Sequence, residues 1–285
     1  MNEVKSSKLY VVLPFFNGVS REFLESLKAQ SYENFQLILV DDGSTDESLS
    51  LCQEYFPDSI LLQGQGNLWW GGSLHQSYKY FQSNSVNDND LVIFLNNDVE
   101  LTSDFFAMGV QGLEPNSLFL AEAYCKKSRE KIDAGVHVDW RQFSFKQAKE
   151  ASEINCLSTR GLILKLEDFL AIGGFYPRLL PHYLSDYEFT MRAFTKGYKL
   201  KTDEAFRLYS DSSISGYHHP EKGAENLLDF LWRLFSKKCP INPIYRTSFL
   251  VLACPWPYLP QNLFKVWAVT LKLIILNVMS RKCDE

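Results

Sequence analysis

Short apolar segments alternate with helical stretches through the first half of the chain, and this alternation limits the possible folds more than any other feature. Segments 9–13, 35–40, 59–62 and 91–95 are short and apolar, which is typical of buried strands. The stretches 20–30 and 45–55, and one that follows Gly71 and Gly72 to Phe81, are predicted helices. Continuous apolar strands joined by helices predict an α/β fold with a mostly parallel central sheet that helices flank on both faces.

The second half of the chain is less regular. An apolar segment over 157–166 is interrupted at Arg160 and Gly161, and helices are predicted over 165–172 and 183–196. From residue 226 the composition shifts toward Leu, Phe, Trp and Pro, so we expect one domain over 1–225 and a helical extension over 226–285. No apolar run approaches the roughly 18–20 residues that span a bilayer.

Composition excludes several classes of protein. With 46% hydrophobic residues the chain is globular rather than disordered. Its net charge of −5 argues against a nucleic-acid partner, because phosphate backbones are bound by basic surfaces. The polar start and six scattered cysteines predict no secretory leader, reduced thiols and a cytoplasmic location.

Polar residues follow three of the predicted strands. In parallel sheets, ligands bind beyond the carboxyl ends of the strands. Here these ends hold Pro14 to Asn17, then Asp41 and Asp42, then Asn96, Asn97 and Asp98. A glycine-rich dinucleotide fingerprint and a P-loop are both missing from the sequence, which disfavours hydride transfer and P-loop phosphoryl transfer.

These strand-end motifs, in this order, resemble those of the family 2 glycosyltransferases of GT-A fold. The pattern continues with Gly173, Gly174 and Phe175, and with Asp186, Glu188 and Arg192. The resemblance covers roughly residues 8–220 and is nearest to the bacterial branch that builds surface polysaccharides, which includes rhamnosyltransferases. It implies a GT-A domain with a helical C-terminal extension.

The resemblance also implies a set of donor-binding residues. Asp42 receives the base and ribose of a nucleotide sugar, and the helix that follows Gly71 offers backbone amides to the diphosphate. Arg160 and Gly161 shape the pocket for the donor sugar and the acceptor. The expected donor-binding residues are Pro14, Asn17, Asp41, Asp42, Gly71, Asn97, Arg160 and Gly161.

A divalent metal site is implied at the third strand end. Asp98 stands where the family has its metal-binding aspartate, and Mn²⁺ or Mg²⁺ is the expected ion. Asn96 departs from the family pattern, because it supplies no charge where an aspartate is usual. Either His218 or His219 can complete the site, and His218 is the expected ligand.

Asp186 stands at the position of the family's catalytic base. An inverting transfer needs a carboxylate that takes the proton of the attacking hydroxyl group. Glu188 is the alternative base, although residues two apart on a helix face different directions. Arg192 either orients a carboxylate, reaches phosphate or makes a structural salt bridge.

Two functions remain open from the sequence. The first is an inverting, metal-dependent transferase that moves a sugar from a dTDP- or UDP-linked donor to a glycan or lipid-linked acceptor. The second is a catalytically weak nucleotide-sugar-binding subunit of a membrane-associated assembly. The extension, with Lys265 and Lys272 on one helical face, either packs on the domain, forms a homodimer or lies peripherally on the inner face of the cytoplasmic membrane.

Overall fold

The first half of the chain folds as the predicted succession of strands and helices. The computed structural model describes residues 7–84, 86–87, 89–211 and 226–283. The elements in order are β1 (Leu9–Phe15), α1 (Arg21–Lys28), β2 (Phe35–Asp41), α2 (Ser48–Tyr55), β3 (Ile60–Gln63), α3 (Trp69–Ser83) and β4 (Leu91–Phe94). Strands β1 to β4 pair with one another only in parallel, so their carboxyl ends lie at one edge of the sheet.

Strand β1 lies inside the sheet and is buried along its whole length. It pairs with β2 on one side and β4 on the other, with Leu9 opposite both Phe35 and Leu91. Leu9 and Val11 pack into the core on one face of the sheet, whereas Tyr10 and Val12 pack into the core on the opposite face. Because helices cover both faces, the strand is continuously apolar rather than alternating.

The second half extends the same sheet with mixed pairing. Its elements are β5 (Val99–Leu101), α4 (Phe105–Gly112), β6 (Ser117–Cys125), β7 (Lys131–Asp133), β8 (Val136–Asp139), β9 (Ser144–Gln147), β10 (Leu162–Lys165), α5 (Leu166–Ile172), α6 (Ser185–Thr195) and β11 (Lys199–Ser210). The strand order is β3-β2-β1-β4-β10-β6-β11-β5, and β7 pairs with β6. Strand β10 runs antiparallel to both β4 and β6, whereas β11 runs parallel to β6. The predicted helices over 165–172 and 183–196 correspond to α5 and α6.

Three helices follow in the extension: α7 (Leu227–Leu234), α8 (Pro243–Ala253) and α9 (Leu259–Cys283). Helices α8 and α9 contact the preceding domain, and α7 packs on α9. Phe249 of α8 is fully buried in a cluster with Val136 and Val138 of the β8–β9 hairpin and Met191 of α6. The side chain of Asn262 in α9 donates a hydrogen bond to the carbonyl of Trp140 at 2.8 Å. The predicted helices are therefore present, and α8 and α9 are docked on the domain.

One expectation about the extension is wrong. The segment Trp256–Met279 is long and apolar enough to cross a membrane by length and composition, and only 17% of it is buried. Lys265 and Lys272 interrupt the apolar run in the sequence. The mean hydropathy of an 18-residue stretch of the helix nevertheless stays high, at 1.5, because the other residues are mostly apolar. Length and composition alone do not distinguish a spanning helix from one that lies on a surface.

Arg192 joins α6 to the turn that ends α5. Its guanidinium group donates to both carboxylate oxygens of Glu188, at 2.8 and 2.9 Å, one helical turn away. It also donates to the carbonyl oxygens of Ile172, Gly173 and Gly174 at 2.7–3.1 Å. Of the roles considered for Arg192, the structural salt bridge is the one observed.

We predict that Arg192→Ala lowers the free energy of unfolding by about 3–5 kcal/mol, because it leaves the buried Glu188 carboxylate without its partner. The matched control is Arg233→Ala. Arg233 also pairs with an acid four residues away, Asp229, but both side chains are about a third exposed. We expect that variant to lose about 1 kcal/mol or less. Urea unfolding of both variants measures the difference, and equal losses would contradict the prediction.

Candidate functional site

A cavity of about 700 Å³ opens at the carboxyl ends of the parallel strands. Its walls come from the ends of β1, β2 and β4, from the start of α3 and from two later segments. The lining residues are Pro14, Phe15, Phe16, Gly18, Asp42, Gly66, Trp69, Trp70, Ser73, Asn96, Asn97, Asp98, His182 and Lys238. Four of the residues predicted to contact donor or metal, Pro14, Asp42, Asn97 and Asp98, therefore lie on one cavity.

Asp42 organises the floor of this cavity. Its Oδ1 accepts the backbone N–H groups of Gly66, Asn67 and Leu68, each at 3.0 Å. Its Oδ2 accepts the N–H of Trp69, also at 3.0 Å. The first amides of a helix have no partner within the helix, and a carboxylate is a strong acceptor for them. Asp42 thus fixes the start of α3. Oδ1 already accepts three hydrogen bonds, so only Oδ2 can accept another one.

This arrangement corrects the expectation for the start of α3. The amides at 66–69 are bonded to Asp42, so they are not free to receive a diphosphate. Gly71 lies inside α3 rather than before it, and its N–H donates to the carbonyl of Pro181 at 2.9 Å. A Cβ atom at Gly71 would lie 2.5 Å from the carbonyl oxygen of Leu180. Gly71 therefore serves close packing and is not among the residues that line the cavity.

Asn17 and Asp41 fix the loops beside the cavity instead of lining it. The side-chain oxygen of Asn17 accepts the N–H of Thr45 at 2.8 Å, and its backbone N–H donates to the hydroxyl of Ser44. Asp41 is buried, and its Oδ1 accepts the N–H of Ser44 at 2.9 Å. In this structure both predicted donor residues support the loops that carry Phe16 and Asp42.

The Asn96, Asn97 and Asp98 segment forms one wall. Asn97 donates from Nδ2 to the carbonyl of Asn17 at 3.2 Å, which ties this wall to the loop after β1. The Oδ1 atom of Asn96 is buried and has no hydrogen-bond partner in the described part of the chain. A buried oxygen without a partner is unfavourable unless a ligand, water or ion satisfies it. The described residues contain no group of three or more His, Cys, Asp or Glu side chains that could hold a metal by themselves.

Trp69, His182 and Lys238 form another part of the lining. The rings of Trp69 and His182 lie 5.5 Å apart, and the Lys238 Nζ atom lies 5.9 Å from the Trp69 ring centre. Burial lowers the pKa of His182 to about 4, and the Lys238 ammonium acts in the same direction. His182 is therefore neutral near pH 7.

Asp186 lies in a second polar cluster, outside the lining of the cavity. Burial raises the pKa of its carboxyl group to about 6; the Asp133 carboxylate acts in the same direction and the Arg160 guanidinium opposes it. The N–H of Tyr187 donates to Asp186 Oδ1 at 2.9 Å. Glu188, the alternative base, is buried and paired with Arg192. Asp186, not Glu188, thus has the environment of a tuned base.

The segment at 158–161 connects the two polar regions. Thr159 accepts the indole N–H of Trp70, a cavity residue, at 2.9 Å. Arg160 Nε is buried without a partner in the described part of the chain, and its charge acts on Asp186. Gly161 has φ +80°, and a Cβ there would lie 2.8 Å from Leu208. Arg160 therefore faces the second cluster, whereas Gly161 is required by backbone geometry and packing.

Three non-glycine residues near the cavity have left-handed backbone angles. The φ values are 62° at Asn17, 59° at Trp69 and 67° at Leu184. Such conformations cost about 1–3 kcal/mol each and persist only where surrounding contacts hold them. Hydrogen bonds hold Asn17 and Trp69, and Leu184 immediately precedes α6, which carries Asp186.

The sequence reasoning missed some residues, and one expectation cannot be placed. His218 lies outside the described residues. Lys238 and Asp133 belong to no motif. Lys238 reaches the cavity, and Asp133 reaches Asp186, from distant parts of the chain. His182 lies between the motif residues Phe175 and Asp186, and the sequence analysis assigned it no role.

Comparison with known proteins identifies the family. Residues 10–154 match the sequence profile of Glycosyl transferase family 2. The glycosyltransferase GlyA of Streptococcus pneumoniae is 38% identical over 50 residues, which are 17% of this chain and only 7% of GlyA.

Solved structures share the fold at low sequence identity. Residues 1–349 of Staphylococcus aureus TarS superpose with a TM-score of 0.55 at 17% identity, covering 90% of this chain and 69% of that fragment. The mannosyltransferase PcManGT of Pyrobaculum calidifontis gives 0.53 at 17% identity, covering 98% and 81%. The expected GT-A architecture is confirmed. Because the profile match covers half of the chain, the protein belongs to glycosyl transferase family 2.

Proposed function

We propose that the protein is an inverting glycosyltransferase that binds a nucleotide sugar in the cavity at the strand ends. The observation that carries this proposal is one wall on which Asp98 stands beside the unpartnered Asn96 Oδ1, close to the Asp42-bound start of α3. The oxygen atoms of Asp98 and Asn96 suit a metal-bound diphosphate, and the aromatic side chains that line the cavity suit the rings of a base or sugar.

A UDP- or dTDP-linked sugar is the proposed donor. Its base or ribose donates to Oδ2 of Asp42, since Oδ1 already accepts three amides. TarS has been solved with UDP-GlcNAc and PcManGT with GDP-Man and Mn²⁺, which supports nucleotide-sugar binding in this fold. The resemblance of the motifs to rhamnosyltransferases makes dTDP-rhamnose the first donor to test.

Mn²⁺ or Mg²⁺ fits the residues present. Such ions take one or two protein carboxylates, and phosphate oxygens and waters complete the shell. Asp98 supplies the carboxylate and Asn96 Oδ1 an oxygen that otherwise has no partner. When bound, the ion would offset the negative charge on the departing nucleoside diphosphate. His218 remains the proposed additional ligand.

We predict that Mn²⁺ strengthens binding of UDP or dTDP and that Asp98→Ala abolishes this gain. For the wild type, a nucleotide at 100 times its Kd adds about 2.7 kcal/mol of stability, which thermal unfolding detects. Glu100→Ala is the control, since Glu100 is exposed on β5 between two buried residues. An Asp98→Ala variant that still responds to Mn²⁺ would refute the metal assignment.

Asp186 is the proposed catalytic base. Its carboxylate takes the proton of the acceptor hydroxyl while that oxygen bonds to the anomeric carbon, and the bond from that carbon to the diphosphate breaks. A pKa of about 6 keeps the carboxylate ionised at neutral pH, yet makes it a stronger base than an exposed aspartate. The positive charge of Arg160 lowers the pKa of Asp186, and the negative charge of Asp133 raises it.

We predict that Asp186→Asn lowers kcat by about 10²–10⁴-fold, because the amide cannot accept the proton. Its unfolding temperature at pH 8 should equal or exceed that of the wild type, since an ionised carboxylate is no longer buried.

Wild-type turnover should rise as the pH increases through about 6, where Asp186 loses its proton. In Asp133→Asn this midpoint should move to lower pH, because the carboxylate that raises the pKa is removed. Turnover that survives in Asp186→Asn would refute the assignment.

The alternative hypothesis, a catalytically weak binding subunit, rests on Asn96. This residue brings an oxygen but no negative charge to the metal site. A wild-type protein that binds the donor tightly, yet neither transfers nor hydrolyses it with Mn²⁺, would favour this alternative over the transferase.

We also propose that the acceptor is a glycan or lipid-linked saccharide and that α9 lies on an anionic membrane surface. The inward face of α9 packs on the protein through Asn262, Val266 and Thr270, so the helix lies along the fold. Its outward face exposes an apolar stripe of Phe264, Trp267, Leu271, Ile275 and Met279, each at least 47% exposed. This stripe is called the α9 outward face.

Charge favours a membrane over a second copy as the partner of this face. Residues 226–285 contain eight of the chain's 29 Lys and Arg but only three of its 34 Asp and Glu. A basic, apolar helix with tryptophan matches the anionic inner face of a cytoplasmic membrane. The remainder of the chain is strongly acidic, and an anionic surface would repel it.

We predict that the full chain sediments with vesicles of equal parts phosphatidylglycerol and phosphatidylcholine, and less with pure phosphatidylcholine. The double variant Phe264→Ser, Leu271→Ser should bind at least about tenfold more weakly, because each buried apolar side chain contributes about 1.5–3 kcal/mol. The control, Leu179→Ser, Phe194→Ser, changes side chains 45% and 47% exposed outside the extension. Dimerisation that the α9 variants abolish, without vesicle binding, would assign this face to a second copy instead.

A further inference from the structure

The short connection between α7 and α8 brings two lysines to the candidate donor cavity. Lys238 lines the cavity together with Asp98 and Trp69, although its position in the chain is 140 residues from Asp98. The Nζ atoms of Lys237 and Lys238 lie 5.7 and 5.9 Å from the Trp69 ring centre. The extension therefore contributes a charged side chain to a cavity that the preceding domain otherwise builds.

The ammonium group of Lys238 is available for a ligand. Within the described ranges, no carboxylate pairs with it, and the side chain is exposed. Its neighbour on this wall, His182, has a buried Nδ1 atom without a partner and is neutral near pH 7. The positive charge on this side of the cavity thus comes from Lys238, with Lys237 behind it.

Trp69 positions the two lysines. A cation over an indole ring is attracted by the negative face of the ring, by about 0.5–1 kcal/mol at exposed sites. The backbone of Trp69 is fixed by its hydrogen bond to Asp42 Oδ2 and has φ 59°. One chain of contacts therefore runs from the Asp42 carboxylate through Trp69 to the lysines.

The acidic and polar residues that line the same cavity indicate what the cation meets. Asp98 supplies a carboxylate to this lining, and Asn96 stands beside it without a charge. A diphosphate in the cavity brings about two negative charges. A metal ion held by Asp98 would pair with only some of the phosphate oxygens, so the others would still need a positive partner. Lysine is a common point-charge ligand of phosphate.

We propose that Lys238 is a donor-binding residue whose ammonium group binds the diphosphate of the nucleotide sugar. This inference rests on the proposed function, because it assumes a nucleoside diphosphate in the cavity. It assigns part of the donor site to the extension, so that residues 1–225 alone lack one of its ligands.

The test compares UDP and dTDP with UMP and dTMP by calorimetric titration of the full chain in Mn²⁺. Lys238→Ala should weaken binding of the preferred nucleoside diphosphate by about 10–100-fold, the range for a hydrogen bond to a charged group. The same variant should change monophosphate binding much less, and its diphosphate affinity should depend less on salt. Lys238→Arg should retain most of the affinity, since it keeps the charge.

Lys272→Ala is the matched control, because Lys272 is exposed on α9 away from the cavity. Unchanged diphosphate affinity in Lys238→Ala, with a wild type that binds, would overturn this inference and leave the proposed function intact. Equal weakening of mono- and diphosphate binding would also overturn it, by showing a structural effect on the cavity. A wild type that binds none of the four nucleotides would overturn the proposed function, and this inference with it.

Discussion

The carboxylate of Asp42 is the contact on which the arrangement of the candidate site depends. Four backbone amides at the start of α3 point to it, and their hydrogen bonds fix the loop that follows β3. This loop sets the position of Trp69 and Trp70, and Trp70 reaches Thr159 beside the second polar cluster. A residue that a motif comparison assigns to ligand binding is thus also the structural anchor of the cavity. Oδ1 accepts three of the amides, so the proposed contact to the donor falls on Oδ2, which accepts only one.

The proposed function divides the site into a donor side and an acceptor side with different electrostatics. On the proposed donor side, Asp98 and the unpartnered Asn96 oxygen line the same cavity as a neutral His182 and the Lys238 ammonium, which suits a diphosphate. On the other side, Asp186 is held between the opposing charges of Asp133 and Arg160. Transfer of a sugar between two such sides needs negative charge stabilised on one and a proton accepted on the other.

Local sequence predicted the first half of the fold well because its strands are continuously apolar and because Ser20 caps the start of α1. The second half was predicted less completely. The sequence analysis did not identify β6 and β11, and the mixed pairing around β10 depends on contacts between distant segments. The placement of Gly71 was wrong for a related reason. A pair of glycines suggests the end of a loop, but here close packing against the carbonyl of Leu180 requires a glycine inside the helix.

The sequence by itself determined the class of fold, the strand ends that carry polar residues and the family, because these follow from local periodicity and short motifs. Only the tertiary structure decided what each polar group does. It bonded the helix-start amides to Asp42, joined Arg192 to the carbonyl groups after α5 and brought Lys238 to the cavity from the extension. It also raised the pKa of Asp186 by burial. The physical reason is that hydrogen-bond partners, burial and charge pairs join residues distant in the chain, and local sequence does not encode which of them will meet.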